Sequence, residues 1–342
     1  MTSRRWVPWV AMLSFGGIVL RVLRFNRREF WTDELEQLHN LSRPFWNMVT
    51  EYVRGMPGGF PGDYILTWPI AQLTSSRWLL IFPHLCTMVA GFYVLYRICL
   101  EDYETDWGPI TVFLLYTANA NLIFHALELR PYAVLPVLAL VFYWRAKHSL
   151  REEHWSLADR LRWGFLVFLT LTFHLYGVLM MAAFITYHVL SSRETQPLVN
   201  VLRRPWLSTT VAAGLLALPI WLYYVLPGRN LNHGYDTFEF TGHSLLHKVS
   251  FVFGTLGDVQ LRWAWKLEVL VLAASLVLPC PGRRDRWLWA VVMIALPVGL
   301  ILLSDLRQHY WFIQRQFVWV MPFWGLLMSQ AVEAFVLQKR QV

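Results

Sequence analysis

The chain has 342 residues, of which 56% are apolar and only 15% are charged. Soluble domains are about 45–50% apolar and about 25% charged, so this composition excludes a soluble enzyme, a disordered chain and a nucleic-acid-binding module. The net charge of +8 is ordinary for a membrane protein, because basic residues gather in cytoplasmic loops. The three widely spaced cysteines, Cys86, Cys99 and Cys280, indicate neither a disulfide framework nor a metal cluster.

Ten apolar runs follow one another along the chain. A helix needs about 20 mostly apolar residues to cross a bilayer, and only helices or closed barrels satisfy their backbone there. The sequence therefore predicts an all-α, polytopic membrane protein with about ten transmembrane helices. The runs cover residues 6–23, 78–98, 109–125, 132–146, 161–174, 176–190, 207–226, 266–280, 287–304 and 317–336.

The orientation of these runs follows from the basic residues. Arg4 and Arg5 precede the first run without a small-residue cleavage site after it, which predicts an uncleaved span that starts in the cytoplasm. With that start, the basic loops all lie inside, and so do both termini. These loops are 145–162, 191–205, 281–286 and 337–342. We therefore expect a multi-pass protein of the inner (plasma) membrane, folded as a single domain over residues 1–342.

This orientation requires that the apolar stretch Tyr64–Thr74 does not cross the membrane. The stretch is short and contains Pro69 and Gln72, so we expect a helix that lies on the outer surface. The alternative is a true span, which would invert everything after it. With the surface helix, two long loops lie outside, at residues 24–77 and 228–266.

The first outer loop carries two adjacent carboxylates, Asp33 and Glu34, in the sequence Arg28-Glu-Phe-Trp-Thr32-Asp-Glu34. Such a pair at the lipid–water boundary can act as a general base or help to hold a divalent cation. The alternative is a solvated first turn of a surface helix with Thr32 as its cap.

Charged and polar residues recur at the outer ends of later spans. His125, Glu128 and Arg130 follow the third run, where charges are expensive and mark a functional site by default. His174 lies between two runs, and Arg315 precedes the last one. Arginine binds phosphate with two parallel hydrogen bonds. The alternatives are a Glu128–Arg130 pair that anchors the helix end, a packing role for His174 and snorkelling of Arg315.

Two histidines of the second outer loop, His243 and His247, have the spacing of one helical face. They could bind a metal together. The spacing favours a polar amphipathic surface helix over that metal pair.

The order of these elements resembles the integral-membrane glycosyltransferases of the GT-C fold, in particular the branch with protein O-mannosyltransferases and lipid A aminoarabinose transferases. The resemblance covers residues 1–190 well and the C-terminal third loosely. It rests on Trp31-Thr-Asp-Glu34, the Pro/Gly-rich approach 56–64, Arg77, Leu129-Arg-Pro-Tyr132, His174 with Tyr176, and Arg315. Relatives have a His-Pro-Pro-Leu-Tyr-like stretch where this chain has Phe60-Pro-Gly-Asp-Tyr64.

The resemblance implies transfer of a sugar from a polyprenyl-phosphate donor to an acceptor at the outer membrane face, with inversion and without a nucleotide. Asp33 matches the general base, and Glu34 matches a neighbour that joins a divalent metal site with a histidine such as His174. The need for a metal stays open, as does the identity of the acceptor. The positions that match contacts to the donor and its phosphate are Arg77, Glu128, Arg130, Tyr132 and Arg315.

Two other functions remain as alternatives at this point. A membrane transporter or lipid flippase would carry charges in the middle of its spans, whereas most charges here lie in loops or at outer helix ends. A non-catalytic relative would have no need of Asp33, Glu34, Arg130 and His174 together.

Overall fold

The structure is a computed structural model that describes residues 5–54, 60–149, 155–192, 204–228, 245–258, 264–277, 284–308 and 314–341. The regular secondary structure of these residues is entirely helical, and no β-strand is found in them. The principal helices are α1 (Val7–Asn26), α2 (Thr32–Leu41), α3 (Gly62–Ala71), α4 (Phe82–Asp102), α5 (Trp107–Ala118), α6 (Ala120–His125), α7 (Leu135–Ser149), α8 (Leu157–Phe173), α9 (Tyr176–Ser192), α10 (Pro205–Gly228), α11 (Leu245–Leu256), α12 (Ala264–Val277), α13 (Arg284–Gln308) and α14 (Met321–Gln341).

Short helical turns connect several of these helices. They comprise α-helical turns at Phe45–Asn47 and Arg77–Leu80, a π-helical turn at Met48–Tyr52, and 3₁₀ turns at Pro131–Ala133 and Gln314–Phe317. Three of them contain residues singled out in the sequence, namely the turns at Arg77–Leu80, Pro131–Ala133 and Gln314–Phe317.

The helices have the length and composition of a membrane protein. Three are long and apolar enough to cross a bilayer: α1, α4 and the part of α10 over Pro205–Val225. Shorter apolar helices occur at Trp107–Ala118, Tyr176–Leu190, Leu245–Leu256 and Leu288–Ser304. The predictions of an all-helical chain and of membrane-spanning helices are therefore confirmed at this level.

One predicted span is interrupted in the structure, and the stretch predicted as a short, non-spanning helix forms a helix with shifted ends. The third run, 109–125, is divided between α5 and α6, because Asn119 leaves the helical conformation and its Oδ1 accepts the N–H of Leu122 at 2.9 Å as an N-cap. The apolar stretch after Tyr64 forms α3, whose ten residues extend about 15 Å, half the thickness of a bilayer core.

The core of the bundle is built by close pairs of helices. α5 packs against α1 and α14, α4 packs against α7, α8 against α10, and α9 against α13. Glycine permits the closest approaches: a Cβ added at Gly17 of α1 would lie 2.7 Å from the ring of Phe92, and one at Gly91 of α4 would lie 2.7 Å from Val137. Any larger side chain at these two positions would push the helices apart.

A buried arginine fixes α1 against the end of α5. Arg21 donates to the carbonyl oxygen of Gly17 at 3.1 Å, and to those of Tyr116 at 2.7 Å and Thr117 at 3.3 Å. Its guanidinium also lies 5.3 Å from the ring centroid of Phe92. Since the last carbonyls of a helix have no partner within it, Arg21 satisfies two of them just before the break that leads to α6.

Candidate functional site

Asp33 is the meeting point of two arginines that are far from it in sequence. It lies in the first turn of α2, and its Oδ2 accepts a hydrogen bond from Nη1 of Arg315. Nη2 of Arg130 lies 3.5 Å from the same oxygen and 3.6 Å from Oε2 of Glu36, one turn along α2. One carboxylate oxygen thus faces two guanidinium groups.

Two aromatic rings frame the Arg315 side of this group. The guanidinium carbon of Arg315 lies 5.6 Å from the ring centroid of Trp31 and 5.5 Å from that of Tyr132. Both distances are within the range of cation–π attraction. Burial raises the pKa of the Tyr132 phenol, although the charges of Arg315 and Arg130 oppose the shift, so Tyr132 is neutral at physiological pH.

Glu34 is fully engaged by donors from its surroundings. Its two oxygens form a bidentate pair with Arg28, and they also accept the N–H of Trp31 at 3.2 Å and that of Leu129 at 2.9 Å. The side chain is completely buried. Leu129 directly precedes Arg130 in the chain. By binding the backbone of Leu129, Glu34 therefore positions Arg130 opposite Asp33. The geometry gives Glu34 a positioning role.

Glu128 forms a buried pair of its own. Its Oε2 lies 2.7 Å from Nδ1 of His125, one turn earlier in the chain. The alternative interpretation of the sequence, a Glu128–Arg130 pair, is replaced by this contact, because the turn at Pro131–Ala133 directs Arg130 toward α2. The ring of His125 in turn lies 6.0 Å from that of Tyr132.

Several buried polar atoms around Asp33 have no hydrogen-bond partner among the described residues. They are Nε1 of Trp31, Oε1 of Glu128 and Nε of Arg130. Buried polar groups of native proteins are nearly always hydrogen-bonded. The first and the last of these atoms are donors, and two unmatched donors beside two guanidinium groups favour a ligand with acceptor oxygens, whereas Oε1 of Glu128 is an acceptor.

A second buried polar group adjoins the first and was assigned no role from the sequence. Asp63 of α3 accepts a hydrogen bond from Nε2 of Gln37 and lies 2.8 Å from Nε2 of His84, at the start of α4. All three side chains are buried. The spacing of Asp33, Gln37 and Asn40, at i, i+4 and i+7, is a sequence signal for one polar face of α2.

Gly62 brings this second group against the end of α8. A Cβ at Gly62 would lie 2.7 Å from the backbone of Phe173, so only glycine allows the contact. The residue after Phe173 is His174, whose ring lies 5.7 Å from that of Tyr132. His174 Nδ1 accepts the N–H of Tyr176 at 3.3 Å.

His174 is held as a neutral imidazole. Burial lowers its pKa to about 3, although the negative charge of Asp63 acts in the opposite direction. Since Nδ1 accepts a hydrogen bond, the proton of the neutral ring is on Nε2. His174 therefore contributes a donor to the site and no charge.

The donor atoms of Glu34 and His174 do not fit the metal site that the resemblance implies. Both oxygens of Glu34 already accept hydrogen bonds, Nδ1 of His174 accepts one as well, and the remaining nitrogen of the neutral ring, Nε2, carries the proton. Within the described ranges, no group of three or more His, Cys, Asp and Glu side chains could hold a metal ion. His243, of the suggested histidine pair, lies outside those ranges.

Arg77 lies apart from the arginines that face Asp33. It donates to the carbonyl oxygen of Phe25 at 3.1 Å and to that of Arg28, and its Nη1 lies 3.6 Å from the exposed carboxylate of Glu29. Its guanidinium also covers the ring of Phe30 at 5.1 Å. These contacts connect the segment just before α4 to the end of α1 and to the residues that follow it. They therefore stabilise the start of the segment that leads to α2.

The site as a whole offers a carboxylate, two guanidinium groups, a buried phenol and a neutral imidazole in one polar cluster around α2, the Pro131 turn and the Gln314 turn. No protein-family model matches the chain, and no curated protein matches it either. The chemical groups and their geometry carry the assignment of function.

Proposed function

We propose that the chain is a glycosyltransferase of the GT-C type, which moves a sugar from a polyprenyl-phosphate donor to an acceptor at the outer (periplasmic) membrane face. The observation that carries the proposal is the convergence of Arg130 and Arg315 on Asp33. Transfer from a lipid phosphate needs a base for the acceptor and cations for the leaving phosphate. A membrane protein with both at one place is suited to this reaction.

The arrangement of helices supports the membrane topology of this proposal. Each of the ten apolar runs overlaps a described helix, with the third run shared by α5 and α6. Ten spans with basic loops in the cytoplasm place both termini on the cytoplasmic side of the plasma membrane. The loop that contains α2 and α3 then lies outside, and so does the turn that carries Arg315.

The proposed reaction uses the chain's own residues in separate roles. The acceptor oxygen forms a bond to the anomeric carbon while the bond from that carbon to the phosphate oxygen breaks. The electron pair leaves with the phosphate, whose charge Arg315 and Arg130 neutralise. The proton of the acceptor hydroxyl moves to the carboxylate of Asp33, and attack opposite the phosphate inverts the anomeric carbon.

Tyr132 and Glu34 support these groups. Tyr132 forms one wall beside the guanidinium of Arg315 and keeps it out of bulk water, where its attraction for phosphate is weaker. Glu34 binds the backbone of Leu129 and so positions the next residue, Arg130, against α2.

Turnover of defined donors tests the proposal. The purified protein in nanodiscs is incubated with a panel of polyprenyl-phosphate sugars, and the release of polyprenyl phosphate is followed for wild type and Asp33→Asn. The matched control is Glu51→Gln, which removes an exposed carboxylate from the same outer loop. We expect release by wild type and the control alone. In sealed vesicles, movement of intact donor across the membrane without release would instead establish the transporter function.

A further inference from the structure

One oxygen of the carboxylate assigned as the base faces two cations. Asp33 Oδ2 accepts from Arg315 Nη1 and lies 3.5 Å from Arg130 Nη2. The two guanidinium groups hold this oxygen in an ion pair, so a hydroxyl group cannot donate its proton to it without displacing one of them. In this arrangement Asp33 is poorly suited to take a proton from a hydroxyl group.

The same two guanidinium groups have the chemistry of a phosphate site. Arginine recognises phosphate and carboxylate oxygens with the same planar geometry. The unmatched Nε of Arg130 and Nε1 of Trp31 add donors that Asp33 does not satisfy. A tetrahedral phosphate has more acceptor oxygens than a carboxylate and can engage donors that lie out of one plane.

We infer that Asp33 occupies the place of the donor phosphate in the unliganded protein, and that an incoming phosphate displaces it from Arg315 and Arg130. This inference rests on the proposed function and adds to it a step that regulates the base. Binding of the phosphate of a lipid donor frees the carboxylate at the moment when the base is needed. The acceptor is then activated only after the donor has bound.

The surroundings allow the carboxylate to move while the arginines stay. About a quarter of the Asp33 side chain is exposed, at 26%, whereas Arg315 and Arg130 are exposed by 17% and 15%. Arg315 is framed by two rings, and the backbone before Arg130 is held by Glu34. A rotation about the side-chain bonds of Asp33 is therefore sufficient for the exchange.

The proposed exchange predicts that a variant without the Asp33 carboxylate binds the phosphate more tightly than wild type. In nanodiscs of zwitterionic lipid, polyprenyl phosphate is titrated against wild type, Asp33→Asn, Glu36→Gln and Glu51→Gln. Removing the competing carboxylate should lower the Kd of Asp33→Asn by about three- to tenfold, the range of one charge-assisted hydrogen bond exchanged for another. Glu36→Gln, which frees only Arg130, should tighten binding less, and Glu51→Gln should match wild type.

Each outcome of the titration decides the matter. Wild-type binding with an equal or weaker Asp33→Asn variant overturns the exchange and leaves the proposed function standing. Absence of binding to both proteins overturns the proposed function as well. Should Asp33→Asn not fold, Asp33→Ser takes its place, because it also removes the competing charge, and a Kd equal to or above that of wild type would overturn the exchange.

Two further probes identify the source of the phosphate. Polyprenol, which has the lipid chain without the phosphate, should not compete with polyprenyl phosphate, and equal affinity would overturn the inference. Inorganic phosphate should compete only at far higher concentrations. Competition at equal concentrations would support the exchange but assign its ligand to the aqueous phase, which contradicts a lipid-linked donor.

Discussion

The Oε1 atom of Glu34 accepts the backbone N–H of Leu129 at 2.9 Å, across 95 residues of sequence. This bond fixes the position of the Leu129-Arg130 segment relative to the first turn of α2. Asp33 and Arg130, which are the neighbours of the two bonded residues, consequently face each other. The position of the proposed base and of one phosphate ligand therefore depends on a residue that need not touch the substrate.

Glu34→Gln should lower both stability and activity. The substitution leaves the guanidinium of Arg28 buried without its counter-charge, and breaking such a pair destabilises proteins by about 3 kcal/mol or more. We expect a lower melting temperature in detergent and a raised Kd for polyprenyl phosphate. The double variant Arg28→Met, Glu34→Gln should recover stability without recovering affinity. Recovery of both would show that Glu34 does not position Arg130.

Arg315→Lys should impair the transfer step strongly. Lysine keeps the charge but lacks the planar pair of donors and cannot stack between Trp31 and Tyr132 in the same way. Loss of one preorganised donor to a developing negative charge lowers kcat by about 10²–10³. Release of polyprenyl phosphate measures the effect, and Arg43→Lys, in the same outer loop, is the control. An unchanged kcat would remove Arg315 from the reaction.

The sequence identified the charged residues of this site better than their partners. Asp33, Arg130, Tyr132 and Arg315 stand out because charges and phenols beside apolar runs are costly, and the structure brings them together. Glu34 had the same sequence signal as Asp33. Its different role depends on a backbone N–H from a distant segment, which no local pattern encodes.

The buried group at Asp63 shows a second limit of the sequence. Gln37 and His84 are single polar residues in separate elements, and their partner Asp63 is reached only after α3 packs against the end of α8. Composition and periodicity predicted the helices, but they could not predict that contact. The break at Asn119 was equally hidden inside an apolar run, since an N-cap asparagine resembles any polar residue of a span.

The stability of the protein should fall in acid because of His174. Its pKa is lowered by burial to about 3, whereas an unfolded histidine titrates near 6.5. Below about pH 6.5 the unfolded state binds a proton that the folded state does not, so stability present above that pH is lost as the pH falls toward 3. At pH 5 the loss is about 2 kcal/mol relative to pH 7.

His174→Gln should therefore flatten this pH dependence. The amide has no proton to gain, so the difference in melting temperature between pH 7 and pH 5 should be smaller than in wild type. At pH 7 the variant should be less stable, since it loses the ring contacts to Tyr132 and Tyr176. An identical pH dependence in both proteins would mean that His174 is already protonated in the fold.

Arg21 tests the difference between a structural charge and a functional one inside a span. Its guanidinium is buried among carbonyl oxygens at the end of α5. Arg21→Met leaves the carbonyls of Tyr116 and Thr117 without this donor, at about 1–3 kcal/mol for each buried group. We expect a markedly lower melting temperature, whereas Arg27→Met, at an exposed position after α1, should match wild type.

The Kd of the folded protein for polyprenyl phosphate distinguishes a structural role of Arg21 from a role in transport. A structural arginine leaves the Kd for polyprenyl phosphate within about twofold of wild type once the protein is folded, because Asp33, Arg130 and Arg315 are not among its partners. A charge on a transport pathway would act differently. Its removal would change lipid movement in reconstituted vesicles at unchanged stability, and that result would revive the transporter function in place of sugar transfer.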